Sequence, residues 1–214
     1  MSGITRVPSG ALLLVGLFSL LVGARAALAA EAGTCQGIKI EDAQPKPLQA
    51  VTLPPGKRCV VRMHNGFLLP DPACTPGAIN PALTIDVLQN PEFRTTCVRN
   101  QTTTEVEKEQ TYGWYATMRP AQNSGVTQTC ELDHLISLEL GGADTLENIW
   151  PQCGPSGVVL VQRFFKQKDI VENYLAKQIK DNNMGLAQVQ KGIAADWTQY
   201  LPEAKKACPM GKCR

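Results

Sequence analysis

Residues 131–152 read ELDHLISLELGGADTLENIWPQ, a stretch that combines a strand-like beginning, a glycine turn and several groups able to do chemistry. The residues around its start predict a β-strand over 128–140. Gly141 and Gly142 can adopt the positive φ angles that a tight reversal requires, and a polar loop then runs to Asn148. The stretch therefore predicts a chain reversal with functional side chains close to the turn.

The adjacent pair Asp133 and His134 is the first candidate for chemistry within this stretch. Adjacent side chains point to opposite faces of a strand, so both can reach one site only where the strand ends or bends. A carboxylate is a hard oxygen ligand for Mg²⁺ or a similar ion. A neutral imidazole is the best side-chain general base near neutral pH. A metal ion together with a positioned base is what the hydrolysis of a phosphodiester needs.

The motif D-H-L-I-x-L-E-L-G-G at residues 133–142, followed by N-x-W-P at 148–151, resembles the HNH endonuclease family, in particular small exported bacterial members. The likeness is strongest over 131–152 and extends weakly to the CTPGA sequence at 74–78 and to residues 168–173. It implies an α+β fold built around a ββα-metal module, in which a hairpin, a loop and a helix hold one divalent ion. The implied cofactor is Mg²⁺, with Mn²⁺ and Zn²⁺ as alternatives.

The resemblance also implies roles for individual residues. Asp133 matches the aspartate that ligates the metal, His134 matches the histidine that activates water, and Asn148 matches the asparagine that holds the loop and orients the histidine. The family's third signature residue is a histidine or asparagine on the following helix, but this chain has no histidine after position 134. Lys168 stands at the family-like position, where it would suit a phosphate contact. Asp169 is the alternative second metal ligand.

The N-terminus predicts export. Residues 1–10 carry one arginine and no acid, residues 11–22 form an apolar run of 12, and the sequence ALA at 27–29 provides small residues for cleavage. This is the pattern of a secretory signal, so we expect residues 1–29 to be removed and the mature protein to be periplasmic or extracellular. A membrane helix needs about 20 apolar residues, so no stable membrane span is expected after cleavage. An uncleaved anchor is the alternative.

All eight cysteines lie after the predicted signal, and an even number in an exported chain favours disulfides. The chain has no C-x-x-C pair, which disfavours zinc fingers and ribbons. Eight cysteines allow 105 pairings. Pairing Cys74 with Cys97, or Cys130 with Cys153, would close loops of about 24 residues and contribute ~3 kcal/mol each.

Composition divides the mature chain into two regions. Residues 30–100 are rich in proline and glycine and predict a disulfide-stapled extension of irregular chain with short strands, such as one over 59–63. Residues 101–214 carry the motif and predict an HNH-like nuclease domain with C-terminal helices. Capping residues and apolar spacing predict these helices. Their expected ranges are 102–115, 158–179 and 186–201.

The charge balance limits how the chain can bind nucleic acid. The 21 basic and 19 acidic residues give a net charge of +2, but two arginines lie in the predicted signal, so the mature chain is neutral. A neutral chain lacks the basic surface typical of tight nucleic-acid binding. The resemblance implies a metal-dependent endonuclease with DNA as the expected substrate, and the neutral charge fits an enzyme that contacts the backbone with little sequence specificity. The alternatives are a non-catalytic exported binding protein on an HNH-like scaffold and a hydrolase of another phosphodiester, including RNA.

Overall fold

The computed structural model describes residues 44–48, 58–99 and 105–213, which all belong to one compact unit. The predicted signal at 1–29 lies outside these residues. The described part combines short β-hairpins with several helices and is cross-linked by disulfides. The coarse prediction of a disulfide-linked α+β protein is therefore confirmed.

Six strands and five α-helices lie within the described ranges. The strands are β1 (Lys46–Pro47), β2 (Arg62–His64), β3 (Phe67–Leu69), β4 (Ala78–Ile79), β5 (Cys130–His134) and β6 (Ile149–Cys153). They pair antiparallel as β1 with β4, β2 with β3, and β5 with β6. The helices are α1 (Ile85–Gln89), α2 (Glu105–Trp114), α3 (Phe164–Lys180), α4 (Leu186–Asp196) and α5 (Leu201–Ala207).

The β5–β6 hairpin carries the motif residues. Its register sets Cys130 opposite Cys153 at the open end and His134 opposite Ile149 at the closed end. A disulfide joins the two opposed cysteines. Helix α3 follows β6 in the chain and packs against both strands. A hairpin, its loop and a helix therefore lie together in the order in which the sequence supplies them.

Strand β5 is shorter than the strand predicted over 128–140. It ends at His134, and Leu138–Leu140 form a 3₁₀ turn, so the prediction is wrong in its second half. The reason is the side chain of Asn148, whose Oδ1 accepts from Ile136 N–H at 2.9 Å and whose Nδ2 donates to Ile136 C=O at 2.8 Å. The side-chain amide of Asn148 thus hydrogen-bonds to the N–H and C=O groups of Ile136, which would pair with the neighbouring strand if β5 were longer.

The two glycines of the loop are needed for different reasons. Gly141 has a φ of 79°, as the predicted reversal requires. Gly142 does not adopt a positive φ, so the prediction is wrong at that position. A Cβ on Gly142 would instead overlap the carbonyl of Ile136 and crowd the side-chain amide of Asn148. Gly142 therefore allows a close approach of two backbone segments.

The first two predicted helices are found with changed ends. Helix α2 lies inside the range predicted over 102–115, whose first residues are outside the described part. The helix predicted over 158–179 begins later, as α3. Leu160–Gln162 form a 3₁₀ turn, and Arg163 is extended with a ψ of 149° before the helix begins. The apolar spacing therefore gives the helix correctly, and the local backbone shortens it.

The helix predicted over 186–201 is divided into α4 and α5. Between them, Trp197–Tyr200 form a 3₁₀ turn. Asp196 has a φ of −164°, and its carboxylate accepts a hydrogen bond from Thr198 N–H at 2.9 Å. This side-chain cap interrupts the α-helix without disturbing the apolar face, because Trp197 remains completely buried.

Apolar sides of α3, α4 and α5 meet in the main hydrophobic cluster, which also takes in Leu69 and Ile136. A second cluster packs against the hairpin. Its buried members are Cys59, Cys74, Tyr115, Leu135 and Trp150. Residues from both sides of position 100 share these cores, so the segment 58–99 packs as part of the compact unit. Burial of this apolar surface is the main favourable contribution to folding.

The segment 58–99 is largely irregular, as its composition predicts. The strand expected over 59–63 is displaced, because β2 begins only at Arg62. Helix α1 is short and was not predicted. Asp71 organises the region: its carboxylate accepts from Val60 N–H at 2.9 Å, and its carbonyl accepts from Cys74 N–H at 3.0 Å.

Disulfides are formed as predicted, but not in every pairing that we considered. Within the described part they join Cys59 to Cys74, Cys130 to Cys153, and Cys208 to Cys213. The pairing of Cys130 with Cys153 is confirmed. The pairing of Cys74 with Cys97 is wrong, because the turn at Asp71 brings Cys74 to Cys59 instead; Cys97 also forms a disulfide.

These cross-links are typical of proteins in an oxidising compartment and fit the expected export. Across residues 44–48, 58–99 and 105–213, none of the helices has the length and apolar character needed to cross a bilayer.

Replacing both Cys130 and Cys153 with serine is expected to lower the free energy of unfolding by about 3 kcal/mol, because their disulfide joins positions with a sequence separation of 23. Urea denaturation of the purified protein measures this loss. The matched control replaces Cys208 and Cys213, whose sequence separation is only 5 and whose loss should be about 2 kcal/mol. A loss at the C-terminal pair that equals the loss at the hairpin would contradict the prediction.

Candidate active site

Asp133 and His134 are the last two residues of β5, and their side chains enter two different groups. The carboxylate of Asp133 contacts Lys168 on α3, and the imidazole of His134 contacts Asp144 in the loop. The strand alternation explains this divergence. The two groups are nevertheless connected, because the ammonium of Lys168 donates to the backbone carbonyl of His134 at 2.6 Å.

Lys168 is the centre of the first group, which we call the lysine–carboxylate cluster: Asp133, Lys168 and Glu172. The Lys168 Nζ lies 2.9 Å from Asp133 Oδ2 and forms an ion pair with Glu172, one helical turn later on α3. The side chain of Lys168 is completely buried, and those of Asp133 and Glu172 are 8% and 13% exposed. The cluster therefore joins the hairpin to α3 through charges held away from water.

Burial controls the protonation of this cluster. Burial raises the pKa of Asp133 to about 6, although the nearby ammonium of Lys168 opposes the shift. Burial also raises the pKa of Glu172 well above its ordinary value. For Lys168, burial alone would lower the pKa, but the two carboxylates outweigh it and the net shift is upward. Since one ammonium faces two carboxyl groups in a buried place, the cluster favours uptake of one proton by a carboxyl group.

The second group consists of His134 and Asp144, which we call the histidine–aspartate dyad. His134 Nε2 lies 2.8 Å from Asp144 Oδ1. Asp144 is only 3% exposed, and Lys108 Nζ on α2 lies 3.2 Å from each of its carboxylate oxygens. With a carboxylate as its partner, Nε2 carries the proton in the neutral ring, and the lone pair resides on Nδ1.

The surroundings of His134 keep its ring neutral at physiological pH. Burial lowers the pKa of His134, while the hydrogen bond and the charge of Asp144 oppose the shift. The positive charges of Arg99 and Lys168 lower this pKa further. The side chain of His134 is 13% exposed, so water can still reach the ring. Neutral, oriented and accessible are the properties required of a general base.

Asn148 fixes the loop between the two strands. It is completely buried, and its Nδ2 donates to the carbonyls of Ile136 and Ala143, both at 2.8 Å. The backbone carbonyl of Asn148 accepts a hydrogen bond from Leu135 N–H at 2.7 Å. These contacts hold both ends of the loop that carries Asp144. Asn148 therefore acts on His134 indirectly, by positioning the loop residue that binds the imidazole.

Asp169 does not join the lysine–carboxylate cluster. Its carboxylate lies 2.7 Å from Lys166 Nζ and is 34% exposed. Lys166 also lies 3.6 Å from Glu131 on β5. Burial alone would lower the pKa of Lys166, but the partner Asp169 outweighs it and the net shift is upward. The structure thus brings Asp133, His134 and Lys168 together and places Asp169 in a separate, more exposed ion pair.

The donor set around Asp133 does not fit a divalent ion. In the part of the chain that the structure describes, no three His, Cys, Asp or Glu side chains are grouped so that they could hold a metal. The carboxylates of Asp133 and Glu172 instead face the ammonium of Lys168. A divalent ion between them would have to displace that ammonium or lie against its positive charge.

Sequence reasoning missed Asp144 and Lys108 as members of the site. Asp144 follows Gly142 by two positions, and its place in a polar loop beside a candidate base is the signal that could have identified it. Lys108 lies 36 residues from Asp144, and no spacing rule connects them.

Comparisons with protein-family models, with curated proteins and with solved structures find no match for this chain.

Replacing Asn148 with alanine is expected to lower the free energy of unfolding by about 3 kcal/mol, since it removes three buried hydrogen bonds worth about 1 kcal/mol each. Thermal or urea denaturation measures the loss. Asn80→Ala is the matched control, because Asn80 is half-buried and its side chain accepts one hydrogen bond, from Ala82 N–H. The control should lose about 1 kcal/mol. Equal losses of unfolding free energy in the two variants would show that the hydrogen bonds of Asn148 do not stabilise the loop.

Proposed function

We propose that this protein hydrolyses nucleic-acid phosphodiester bonds, with DNA as the expected substrate, and that His134 is the general base. The observation that carries the proposal is the 2.8 Å contact between His134 Nε2 and the buried carboxylate of Asp144. An imidazole oriented by a carboxylate is the arrangement with which hydrolytic sites activate a nucleophile. The resemblance of the motif to HNH endonucleases supports the choice of substrate class.

In the proposed reaction, Nδ1 of His134 takes a proton from a water molecule as its oxygen attacks phosphorus. None of the described residues hydrogen-bonds to Nδ1, so this nitrogen is available. Attack forms the new P–O bond, the bond to the leaving oxygen breaks with its electron pair, and that oxygen takes a proton from solvent. Asp144 keeps the proton of the neutral ring on Nε2 and stabilises the imidazolium that forms. Because burial lowers the pKa of His134, the ring is in its basic form at neutral pH.

Arg99 is the proposed contact for the substrate phosphate. It is exposed, and it is close enough to His134 for its charge to lower the pKa of the imidazole. A guanidinium presents donors that match phosphate oxygens in pairs. Lys168, the residue at the family-like position, is already engaged by two carboxylates and by the carbonyl of His134. A phosphate contact by Lys168 is therefore less compatible with its surroundings than one by Arg99.

His134→Gln is expected to reduce the rate of plasmid nicking by at least ~100-fold, the effect of removing a general base. The assay uses the purified, oxidised protein in parallel with Mg²⁺, with Mn²⁺ and with EDTA. His64→Gln is the matched control. His64 is the other histidine of the chain, it also pairs with a carboxylate, Asp196 at 2.7 Å, and its side chain is 53% exposed.

The control variant should cleave like the wild type. Cleavage that survives His134→Gln would refute the assignment of the base. A wild-type protein that is inactive on DNA and on RNA under all three conditions would favour the non-catalytic binding protein.

The acid limb of the kcat/KM profile should have its midpoint below pH 6.5, the ordinary value for histidine, because the pKa of His134 is lowered. Activity is lost as pH falls through that pKa and the base becomes protonated. Arg99→Ala removes a positive charge that lowers this pKa, so it should move the midpoint to higher pH and raise KM. Arg99→Lys keeps the charge and should leave the midpoint near that of the wild type. A midpoint insensitive to Arg99→Ala would exclude Arg99 from the site.

A further inference from the structure

We infer that the ammonium of Lys168 is the resident cation of this site, occupying the place between β5 and α3 where the resemblance implies a divalent ion. Lys168 is then a positioning residue for His134, and hydrolysis needs no divalent ion at Asp133. The part that concerns catalysis rests on the proposed function. The part that concerns cation binding does not, and it can be measured separately.

The coordination of Lys168 supports this assignment. A lysine ammonium has three N–H donors, and the Nζ of Lys168 has three oxygen partners. These are Asp133 Oδ2 at 2.9 Å, the His134 carbonyl at 2.6 Å, and Glu172 Oε1. Two partners come from the end of β5 and one from α3. The ammonium thus gathers oxygen atoms from a strand and a helix around one positive charge, as a bound ion would.

Burial makes this cation part of the fold. Lys168 is completely buried, and it is one of the largest side chains in the chain's described part to be so. Removing an ammonium from two buried carboxyl groups leaves their charge uncompensated, which is strongly unfavourable. A divalent ion entering beside Asp133 would meet a positive charge whose Nζ lies 2.9 Å from the carboxylate oxygen it must bind. The site therefore disfavours a second cation by charge.

The two neighbouring carboxylates, Glu131 and Asp169, are also paired with a single lysine ammonium. Glu131 stands two residues before Asp133 on β5, and Lys166 stands two residues before Lys168 on α3. Lys166 lies 3.6 Å from Glu131 and 2.7 Å from Asp169. Each of the two lysines thus serves one carboxylate of the strand and one of the helix. Among the described residues, the carboxylates of these two groups between β5 and α3 are therefore all paired with a lysine ammonium.

The contact with the His134 carbonyl gives Lys168 a role in the proposed reaction. The 2.6 Å hydrogen bond fixes the backbone of His134 at the end of β5, and the imidazole is the side chain of that same residue. The ring is then held at two points, by Lys168 through the backbone and by Asp144 through Nε2. Loss of Lys168 should therefore lower kcat more than it changes KM, because it displaces the base without touching the substrate.

Cation binding is tested first on the purified, oxidised protein after removal of metals with EDTA. Thermal unfolding is followed with Mg²⁺, Mn²⁺ and Zn²⁺. The wild type should show no metal-dependent rise in Tm. Lys168→His replaces the ammonium with an imidazole between Asp133 and Glu172, which is a set of nitrogen and oxygen ligands suited to Zn²⁺. This variant should gain a Zn²⁺-dependent rise in Tm.

A matched control places the same substitution where only one carboxylate is present. Lys177, in the last turn of α3, pairs at 2.8 Å with Asp181, which lies four residues later and just past the helix, and the two side chains are 37% and 42% exposed. Lys177→His should gain no comparable rise in Tm with Zn²⁺. If Lys168→His does not fold, Asp133→Asn in the wild-type background still tests the inference. A metal-dependent rise in the Tm of the wild type that Asp133→Asn abolishes would overturn it.

Plasmid nicking in EDTA tests the catalytic part. Cleavage by the wild type should be unchanged by the chelator. Cleavage that requires an added divalent ion, together with a metal-dependent Tm, would overturn the inference while supporting the proposed function. No cleavage under any condition, together with no metal-dependent Tm, would reject the proposed function and leave the resident cation in place.

Discussion

One buried ammonium connects the parts of this molecule that matter for its chemistry. Lys168 reaches from the second turn of α3 to the end of β5, where it pairs with Asp133 and donates a hydrogen bond to the backbone carbonyl of His134. These contacts connect α3 to the hairpin and hold the peptide from which the His134 imidazole extends. A buried lysine without such partners would lose its charge or leave the interior.

Such a cluster is not an efficient way to stabilise a fold. Desolvation of the charges offsets most of their attraction, and well-packed apolar side chains in the same volume would serve stability as well or better. The apolar cluster around α3, α4 and α5 already provides the driving force for folding. What the lysine–carboxylate cluster adds is a defined geometry, because the ammonium on α3 has to meet two oxygen atoms at the end of β5, Asp133 Oδ2 and the His134 carbonyl. That geometry would serve the proposed role of His134, at some cost in stability.

The helices could be predicted from the sequence because they depend on local patterns, and the motif could be located for the same reason. The apolar spacing of α3 and the pair Asp133-His134 are visible within a few residues. The end of β5 was not predictable in this way, since it is set by Asn148, which lies 12 residues from the backbone groups it takes from Ile136. The dyad partner Asp144 is held in turn by the distant Lys108 on α2. Contacts that depend on the folded arrangement of separate elements leave no spacing signal.

The same reasoning explains why the pairing of the cysteines was only partly predictable. Cys130 and Cys153 face each other across a hairpin whose register follows from its turn. Cys59 and Cys74 meet because Asp71 folds an irregular segment back on itself with side-chain hydrogen bonds. Loop length alone does not distinguish these cases, because the entropic gain varies only slowly with the number of residues enclosed.

The charges on the two sides of His134 determine the direction from which a polyanion can approach. On the side of Asp133, four carboxyl groups stand against two ammonium groups. The acids are Glu131, Asp133, Asp169 and Glu172, and the bases are Lys166 and Lys168. A phosphate backbone is repelled by such an excess of acid, even if one carboxyl group is protonated. The exposed Arg99 lies close enough to influence His134 from outside this group. For the proposed reaction we therefore expect the substrate to approach from outside this acidic group, with Arg99 as the proposed phosphate contact, while the buried Lys168 supports the base through the backbone carbonyl of His134.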